Sequence, residues 1–308
     1  MPTLFRFLFA HRDALALGTN GGRLLTLGVQ DVHLTHDGLS ELMTSAGIRP
    51  REIPENERRY THSAIVPREL RRAHVKDAFR MLGFDEVETL DYSDAEGADH
   101  IHDLNEPVPA HLLNRFDVLL DVGVMEHICD IRQAIENSIC MLKVGGRIIL
   151  HLPLFGWHNM VYFNFQPPFL TEVYAANGCE NIRTFINFWP TYREWDDRPL
   201  IYREFHYSDE LPFTKRHYRT NLILFGTKVR EVAPFVKPIQ GFYERYHGRA
   251  TESKKSMAPQ QSNGLVRTCK AFMRQHLPYW FNALFWSALH SKELRRLKQA
   301  QPREEWYV

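Results

Sequence analysis

The chain predicts an α/β protein: a mostly parallel sheet with helices on both faces and a helical appendage at the C-terminus. Three observations carry this expectation. Four short apolar runs lie between residues 23 and 152, each closing on polar or glycine-bearing sequence. Helix-periodic stretches separate them, the alternation that a parallel sheet with crossover helices requires. The 308 residues, 44% of them hydrophobic, allow one full α/β core plus an appendage.

Taken in order, the opening MPTLFRFLFAHRDALALG reads as a lead-in helix. Arg6 interrupts an apolar run already too short for a secretory leader, and no cleavage site follows. The first strand, Arg23 to Leu27, meets a lone Gly28. An insertion over about 35–66 displaces the next helix to Pro67 onward, in PRELRRAHVKDAFRMLGF. There Leu70, His74, Val75, Ala78, Phe79 and Leu82 share a face, with Pro67 in the first turn and Gly83 at the end. The second strand is Val87 to Asp91, and an edge strand is expected near Ile101.

The third strand is FDVLLDV, Phe116 to Val122. The helix after it places Ile131, Ala134, Ile135, Ile139 and Leu142 on one face and stops at Gly145-Gly146. The fourth strand is Arg147 to Leu152. Aromatic-rich loops follow, then a helix in LTEVYAANG and two more strands, Arg183 to Phe188 and Asn221 to Val229. These elements make a domain over 1–232, with a linker over 233–264 ending in TESKKSMAPQQSNG. The tail, 265–308, reads as two amphipathic segments hinged at Pro278. Its aromatics Tyr279, Trp280, Phe281, Phe285 and Trp286 suit either a membrane interface or docking on protein, so peripheral contact and oligomerisation through 265–290 both stand.

Lys and Arg number 38 against 37 Asp and Glu, a formal charge of +1, which gives no global attraction to nucleic acid; none is expected as a partner. Cys129, Cys140, Cys179 and Cys269 form no CxxC pair, so neither a metal site nor a disulfide framework is expected, and a cytoplasmic location fits. No run of 18 apolar residues suggests a membrane-spanning helix.

In an open parallel sheet the ligand crevice lies beyond the carboxyl ends of the strands, where strand order reverses. The residues there are Gly28 to Asp31, Asp91 to Ser93, Asp103-Leu104-Asn105 and Asp121 to His127. Asp91, ending the second strand, suits the two hydroxyls of a ribose, and Asp103 stands where an adenine amino group is met. Singly, each also suits a helix cap or a turn. In this order, at these strand ends, they point to a nucleoside site.

FDVLLDVGVMEHICDIRQAIENSICMLKVGGRIILHLP resembles the fourth strand, helix and fifth strand of class I S-adenosylmethionine-dependent methyltransferases, with their GVLEH and LKPGG pattern. Val144 stands where proline is usual. Residues 87–109, VETLDYSDAEGADHIHDLNEPVP, resemble the acidic strand end and the DLN segment of the same superfamily. The resemblance covers roughly 20–230. It implies a Rossmann-like, seven-stranded, mostly parallel sheet and S-adenosyl-L-methionine as cofactor. Gly28, Gln30, Asp91, Tyr92, Asp103, Leu104, Asp121 and Gly123 are the expected cofactor-binding residues.

In the usual first motif, glycines let backbone pass close to the cofactor; here Val29, Gln30 and Asp31 follow Gly28 instead. The cofactor carries no pyrophosphate and needs less of a glycine cradle, and Gln30 can offer an amide. Methyl transfer from a sulfonium is an in-line displacement that needs a base only when the acceptor holds its proton. His127, His151 and His158 stand at one sheet edge; His127 and His158 are the catalytic candidates, and capping serves His127 equally well.

The resulting expectation is a methyltransferase acting on oxygen, or nitrogen, of a small-molecule or glycan-like acceptor. The glycan guess rests on the polar-aromatic cluster His158, Asn159, Tyr162, Phe163 and Gln166. A catalytically inactive scaffold of the same fold, binding a partner through its tail, is the alternative. A nicotinamide enzyme is disfavoured because no GxGxxG follows the first strand.

Overall fold

The computed structural model describes residues 2–12, 21–61, 68–190, 201–205, 218–241 and 306–307. Two compact units divide the chain, 1–238 with 306–308, and 239–305. The first unit is described below. The linker beyond residue 241 and the tail with its hinge at Pro278 lie outside the described residues, except 306–307.

Among the described residues nine strands form one sheet: β1 (Arg23–Leu27), β2 (Glu86–Asp91), β3 (His100–Ile101), β4 (Phe116–Val122), β5 (Leu142–Phe155), β6 (Cys179–Pro190), β7 (Ile201–Phe205), β8 (Tyr218–Lys228) and β9 (Trp306–Tyr307). Their spatial order is β3-β2-β1-β4-β5-β8-β6-β7-β9. From β3 to β5 every pairing is parallel, and from β5 outward each is antiparallel. The chain winds from β1 toward β3 on one side and from β4 toward β5 on the other, which opens a crevice at the carboxyl ends of β1 and β4. Nine strands replace the expected seven because β7 and β9 extend one edge. In IYREF the adjacent charges Arg203 and Glu204 break both an apolar run and a period-two alternation, and a two-residue strand gives no periodic signal.

Helices cover both faces. On one lie α1 (Pro2–Ala10), α2 (His36–Ser45) and α3 (Val75–Met81). Their Phe5, Phe7, Leu39, Met43 and Phe79 pack with Leu24, Val118, Ile149 and Phe185 of the sheet. On the other lie α4 (Ile131–Met141) and α5 (Pro167–Ala176), whose Ile135, Ile139, Leu170 and Tyr174 meet Leu25, Leu119, Ile148 and Leu224. Neighbours such as Leu24 and Leu25 enter opposite layers, as period two dictates. Strands buried on both faces give the continuous apolar runs seen in the sequence. α1 belongs to the core: Phe5, Phe7, Leu8 and Phe9 are each at most 1% exposed, and the Phe7 ring meets that of Phe185 at 5.0 Å.

Three expectations are corrected. No helix runs through Leu70 or His74: Arg68–Leu70 is a short 3-10 turn with Leu70 exposed, and α3 starts at Val75, with His74 Nδ1 accepting from Lys76 N at 3.2 Å as its cap. The stretch read as an insertion contains α2, capped by Thr35, whose hydroxyl accepts from Gly38 N at 3.1 Å. It is tied down by buried Asp77, which accepts from Arg59 N at 2.6 Å and meets His36 Nε2 at 2.9 Å. Last, α4 ends at Met141 and not at the glycine pair. Gly145 and Gly146 lie within β5, at an irregularity where a side chain on Gly146 would meet the Phe116 carbonyl at 3.1 Å.

Candidate active site

The turn after β1 is tied by three hydrogen bonds. Thr26 Oγ1 donates to the Gly28 carbonyl at 2.7 Å, Gly28 N donates to Leu90 O at 2.7 Å, and the Gln30 amide donates to Leu27 O at 2.5 Å. Gly28 sits at φ +74°, where a Cβ would meet Val124 Cγ2 at 3.0 Å and Gln30 Nε2 at 3.1 Å. Glycine is therefore required there both by conformation and by space. The Asp91 carboxylate lies beside it, with Oδ2 at 3.9 Å from that Cβ position.

After β4 the chain turns through Gly123, at φ +87°, into a 3-10 turn, Met125–His127. Asp121 is fully buried beneath this loop and accepts from Val124 N at 2.9 Å and Met125 N at 3.1 Å. Glu126 is 5% exposed, its Oε1 lies 3.1 Å from the Cβ position of Gly123, and its Oε2 has no hydrogen-bond partner among the described residues. Burial raises both carboxyls. Two main-chain N–H groups favour the anion on Asp121, so the proton resides on Glu126, pushed up to about 8 by burial and then by its neighbour's charge. His127 is shifted the other way: burial lowers it, leaving the imidazole neutral near pH 7.

The segment after β3 supplies the facing wall. Asp103 Oδ1 accepts from Asn105 N at 2.9 Å and Asn105 Nδ2 at 2.7 Å, which holds that carboxyl below its ordinary value. Asn105 Oδ1 in turn accepts from Asp130 N at 2.9 Å, so this wall is fastened to the start of α4.

Between these loops lies a cleft of about 330 Å³, lined by Gly28, Leu90, Asp91, Tyr92, His102, Asp103, Leu104, Asn105, Gly123, Val124, His127 and Ile128. Seven of the ten residues singled out in the sequence thus share one cavity: Gly28, Asp91, Tyr92, Asp103, Leu104, Gly123 and His127. Gln30 turns its amide back to Leu27 and stands behind the wall. Asp121 lies underneath and shapes the loop above it. His158 is exposed on the loop after β5, its ring edge-on to Phe155 at 5.7 Å. That loop is nonetheless fastened beside the cleft, because Tyr162 N and Phe163 N both donate to the Glu126 carbonyl, at 3.0 and 3.2 Å.

Of the remaining lining residues, Asn105 and Val124 lie in the strand-end stretches singled out in the sequence, and Leu90, His102 and Ile128 were not among the candidates. Asn105, Val124 and Ile128 fall within or beside the DLN and GVMEH stretches and were legible as neighbours of chosen positions. Leu90 and His102 carried no signal of their own. Among the described residues no group of three or more His, Cys, Asp or Glu could hold a metal ion, and no helix is long and apolar enough to cross a membrane.

No family model matches this chain, and no curated protein matches it. Among solved structures it is similar to a S-adenosylmethionine-dependent methyltransferase of Thermotoga maritima, at 14% identity over 74% of this chain and 91% of that one, with a TM-score of 0.35. It is similar also to the Burkholderia thailandensis 1,6-didemethyltoxoflavin-N1-methyltransferase, solved with S-adenosylhomocysteine, at 13% identity, 74% and 79% coverage and a TM-score of 0.36. A third is the branched-chain polyamine synthase of Thermus thermophilus, in complex with 5′-methylthioadenosine, at 14% identity, 78% and 60% coverage and a TM-score of 0.34. At these scores they are likenesses only. The Rossmann-like α/β fold stands on this chain's own strand order.

Proposed function

We propose that this chain is a S-adenosylmethionine-dependent methyltransferase acting on oxygen, or nitrogen, of a small-molecule or glycan-like acceptor. The observation that carries the reading is the cleft itself. At the carboxyl ends of β1, β2 and β4, two positive-φ glycines keep the turns after β1 and β4 free of side chains, and a carboxylate stands at the end of β2. Its volume lies at the lower end of the roughly 300–1,000 Å³ of small-molecule sites.

The residues present fit the cofactor. Asp91 would accept from the ribose hydroxyls, and Gly28 and Gly123 would let backbone approach, since a Cβ on Gly28 would occupy the space between Val124 and Asp91. Leu104, Val124 and Ile128 give an apolar slot for a base, and Asp103 keeps Oδ2 beside it once Oδ1 is committed to Asn105. When bound, the cofactor supplies an electrophilic methyl on a sulfonium. His127, neutral near pH 7, takes the acceptor's proton on a ring nitrogen, and Glu126 holds the loop over the acceptor side through its carbonyl. Exposed Phe155, which ends β5, and Tyr162 on that loop suit stacking against a sugar ring.

Calorimetric titration with S-adenosylhomocysteine tests the reading. The expected result is saturable heat, weakened at least about tenfold in Asp91→Ala, the loss of a charged hydrogen bond. No heat with millimolar ligand would leave the inactive scaffold as the better account.

A further inference from the structure

The turn after β4 carries a carboxyl that the chemistry above leaves unused. Gly123, Val124 and His127 line the cleft, and Glu126 of the same turn lies behind them, 5% exposed. Its Oε1 stands 3.1 Å from the Cβ position of Gly123, so a residue without a side chain is what separates this carboxyl from the cavity. Oε2 has no hydrogen-bond partner among the described residues, an uncommon state for a buried group and one that asks for an explanation.

The groups around it supply no positive charge. Asp121 of β4 is its charged neighbour, fully buried with both oxygens held by main-chain N–H groups. The Tyr174 hydroxyl of α5 also faces Asp121, shares a hydrogen bond with Ser138 at 2.9 Å and is kept neutral by burial. His127, next in the turn, is neutral near pH 7. His151 of β5 pairs with Val122 and therefore points to the opposite face from Asp121, and Arg132 of α4 is paired with Glu136 at 2.7 Å. Exposed His158 and Tyr162 belong to the loop fastened to the Glu126 carbonyl, and Asp91, His102 and Asp103 stand along the cleft itself. Two buried carboxyls with no cation beside them do not both ionise, so one proton stays in this turn.

A positive charge in the cavity reverses that balance, because within about 4–6 Å it favours a carboxylate by roughly one to three powers of ten. Resting on the methyltransferase reading, we propose that Glu126 tells donor from spent product by charge: its carboxyl releases a proton to solvent when S-adenosylmethionine fills the cleft and keeps that proton with S-adenosylhomocysteine. Ribose on Asp91 and the acceptor's proton on His127 put the reacting sulfur on the Gly123 side, where the donor is a sulfonium cation. The amino and carboxylate groups are common to both ligands, so the difference rests on sulfur. Once the methyl has passed to the acceptor, the electron pair of the broken C–S bond stays on sulfur, the cation is gone, and Glu126 takes a proton back. The effect crosses Gly123 as charge, without contact.

The test is calorimetric titration of the full chain, wild type and Glu126→Gln, with each of the two ligands between pH 6 and 8, in phosphate and in Tris. Two buffers of different ionisation enthalpy count the protons released, and the ligands' own ionisation cancels between wild type and variant. At pH 7 the wild type should release about 0.4–0.9 proton more than Glu126→Gln with S-adenosylmethionine, and no more than the variant with S-adenosylhomocysteine. The ratio of wild-type to variant affinity for S-adenosylmethionine should rise at least about fivefold from pH 6 to 8, while that for S-adenosylhomocysteine stays within about twofold. Equal proton release in the two proteins, or a ratio for S-adenosylmethionine that is flat with pH, would overturn the proposal. Should the variant not fold, the side-chain Cδ signals of wild type labelled with carbon-13 glutamate decide. One signal should move from the acid to the carboxylate position at pH 7 with S-adenosylmethionine alone; no move, or the same move with both ligands, would overturn it. Absence of heat with either ligand in the wild type would instead overturn the methyltransferase reading itself.

Discussion

Gly28→Ala should damage this protein in two separable ways. The residue sits at φ +74°, so alanine costs about 1–2 kcal/mol in backbone conformation alone. Its Cβ would also lie 3.0 Å from Val124 Cγ2 and 3.1 Å from Gln30 Nε2, and overpacking of this kind costs about 1–3 kcal/mol. For a domain of this size each kcal/mol lowers Tm by about 2–4 °C, so a fall of roughly 4–20 °C is expected. Gly47 supplies the control. It has φ +70° with nothing within 4 Å, so Gly47→Ala carries the backbone cost without the crowding. Thermal melts should order the variants as wild type, Gly47→Ala, Gly28→Ala, and titration with S-adenosylhomocysteine should weaken at least about tenfold only in Gly28→Ala. Equal affinity in all three, with Gly28→Ala folded, would refute the cradle on which the cofactor assignment rests.

The other predictions follow the buried charges and the base. Glu126 is protonated in the fold up to about 8 but ionises at the ordinary glutamate value of 4.5 when unfolded, so its contribution to stability is lost as pH rises between those values. His74 and His151, lowered to about 4 and about 3, act oppositely: their contribution is present above 6.5 and lost as pH falls below it. Between pH 6.5 and 8 Glu126→Gln should therefore flatten the decline in Tm that the wild type shows; parallel melting curves would contradict the buried proton. Lys228 is fully buried and donates to Asn114 Oδ1, Ile139 O and Leu142 O at 2.7–3.0 Å. Lys228→Met leaves those acceptors unmet and should cost about 3 kcal/mol in a denaturant melt. His127→Ala should lower kcat by roughly 10²–10⁴ while S-adenosylhomocysteine affinity holds, and His158→Ala should lower it less, since His158 lies off the cleft lining. Unchanged turnover in both would remove the base.

Much of this fold was legible because its strands are buried on both faces. FDVLLDV coincides with β4 and RLLTL with β1, since a run with apolar residues on either side has no other place to go. Glycine was the misleading letter. Gly83 ends α3, at φ +112°, as a stop signal should, but Gly145 and Gly146 serve a strand irregularity, and local sequence does not separate those uses. α2 escaped notice because its buried side amounts to His36, Leu39 and Met43, too short a periodic signal, although Thr35 announces its start. At the site, residues ending a strand were readable from position alone. Whether an aspartate lines a cleft or caps a turn was not: Asp91 reaches the wall, whereas Asp121 spends its oxygens on main-chain N–H groups below it.

Co-crystallisation with S-adenosylhomocysteine puts the question most directly. Density for the nucleoside between Gly28 and Gly123, with its ribose hydroxyls on the Asp91 carboxylate and its base along Leu104 and Val124, is the predicted result. A filled crevice with the ligand absent or bound elsewhere would contradict it.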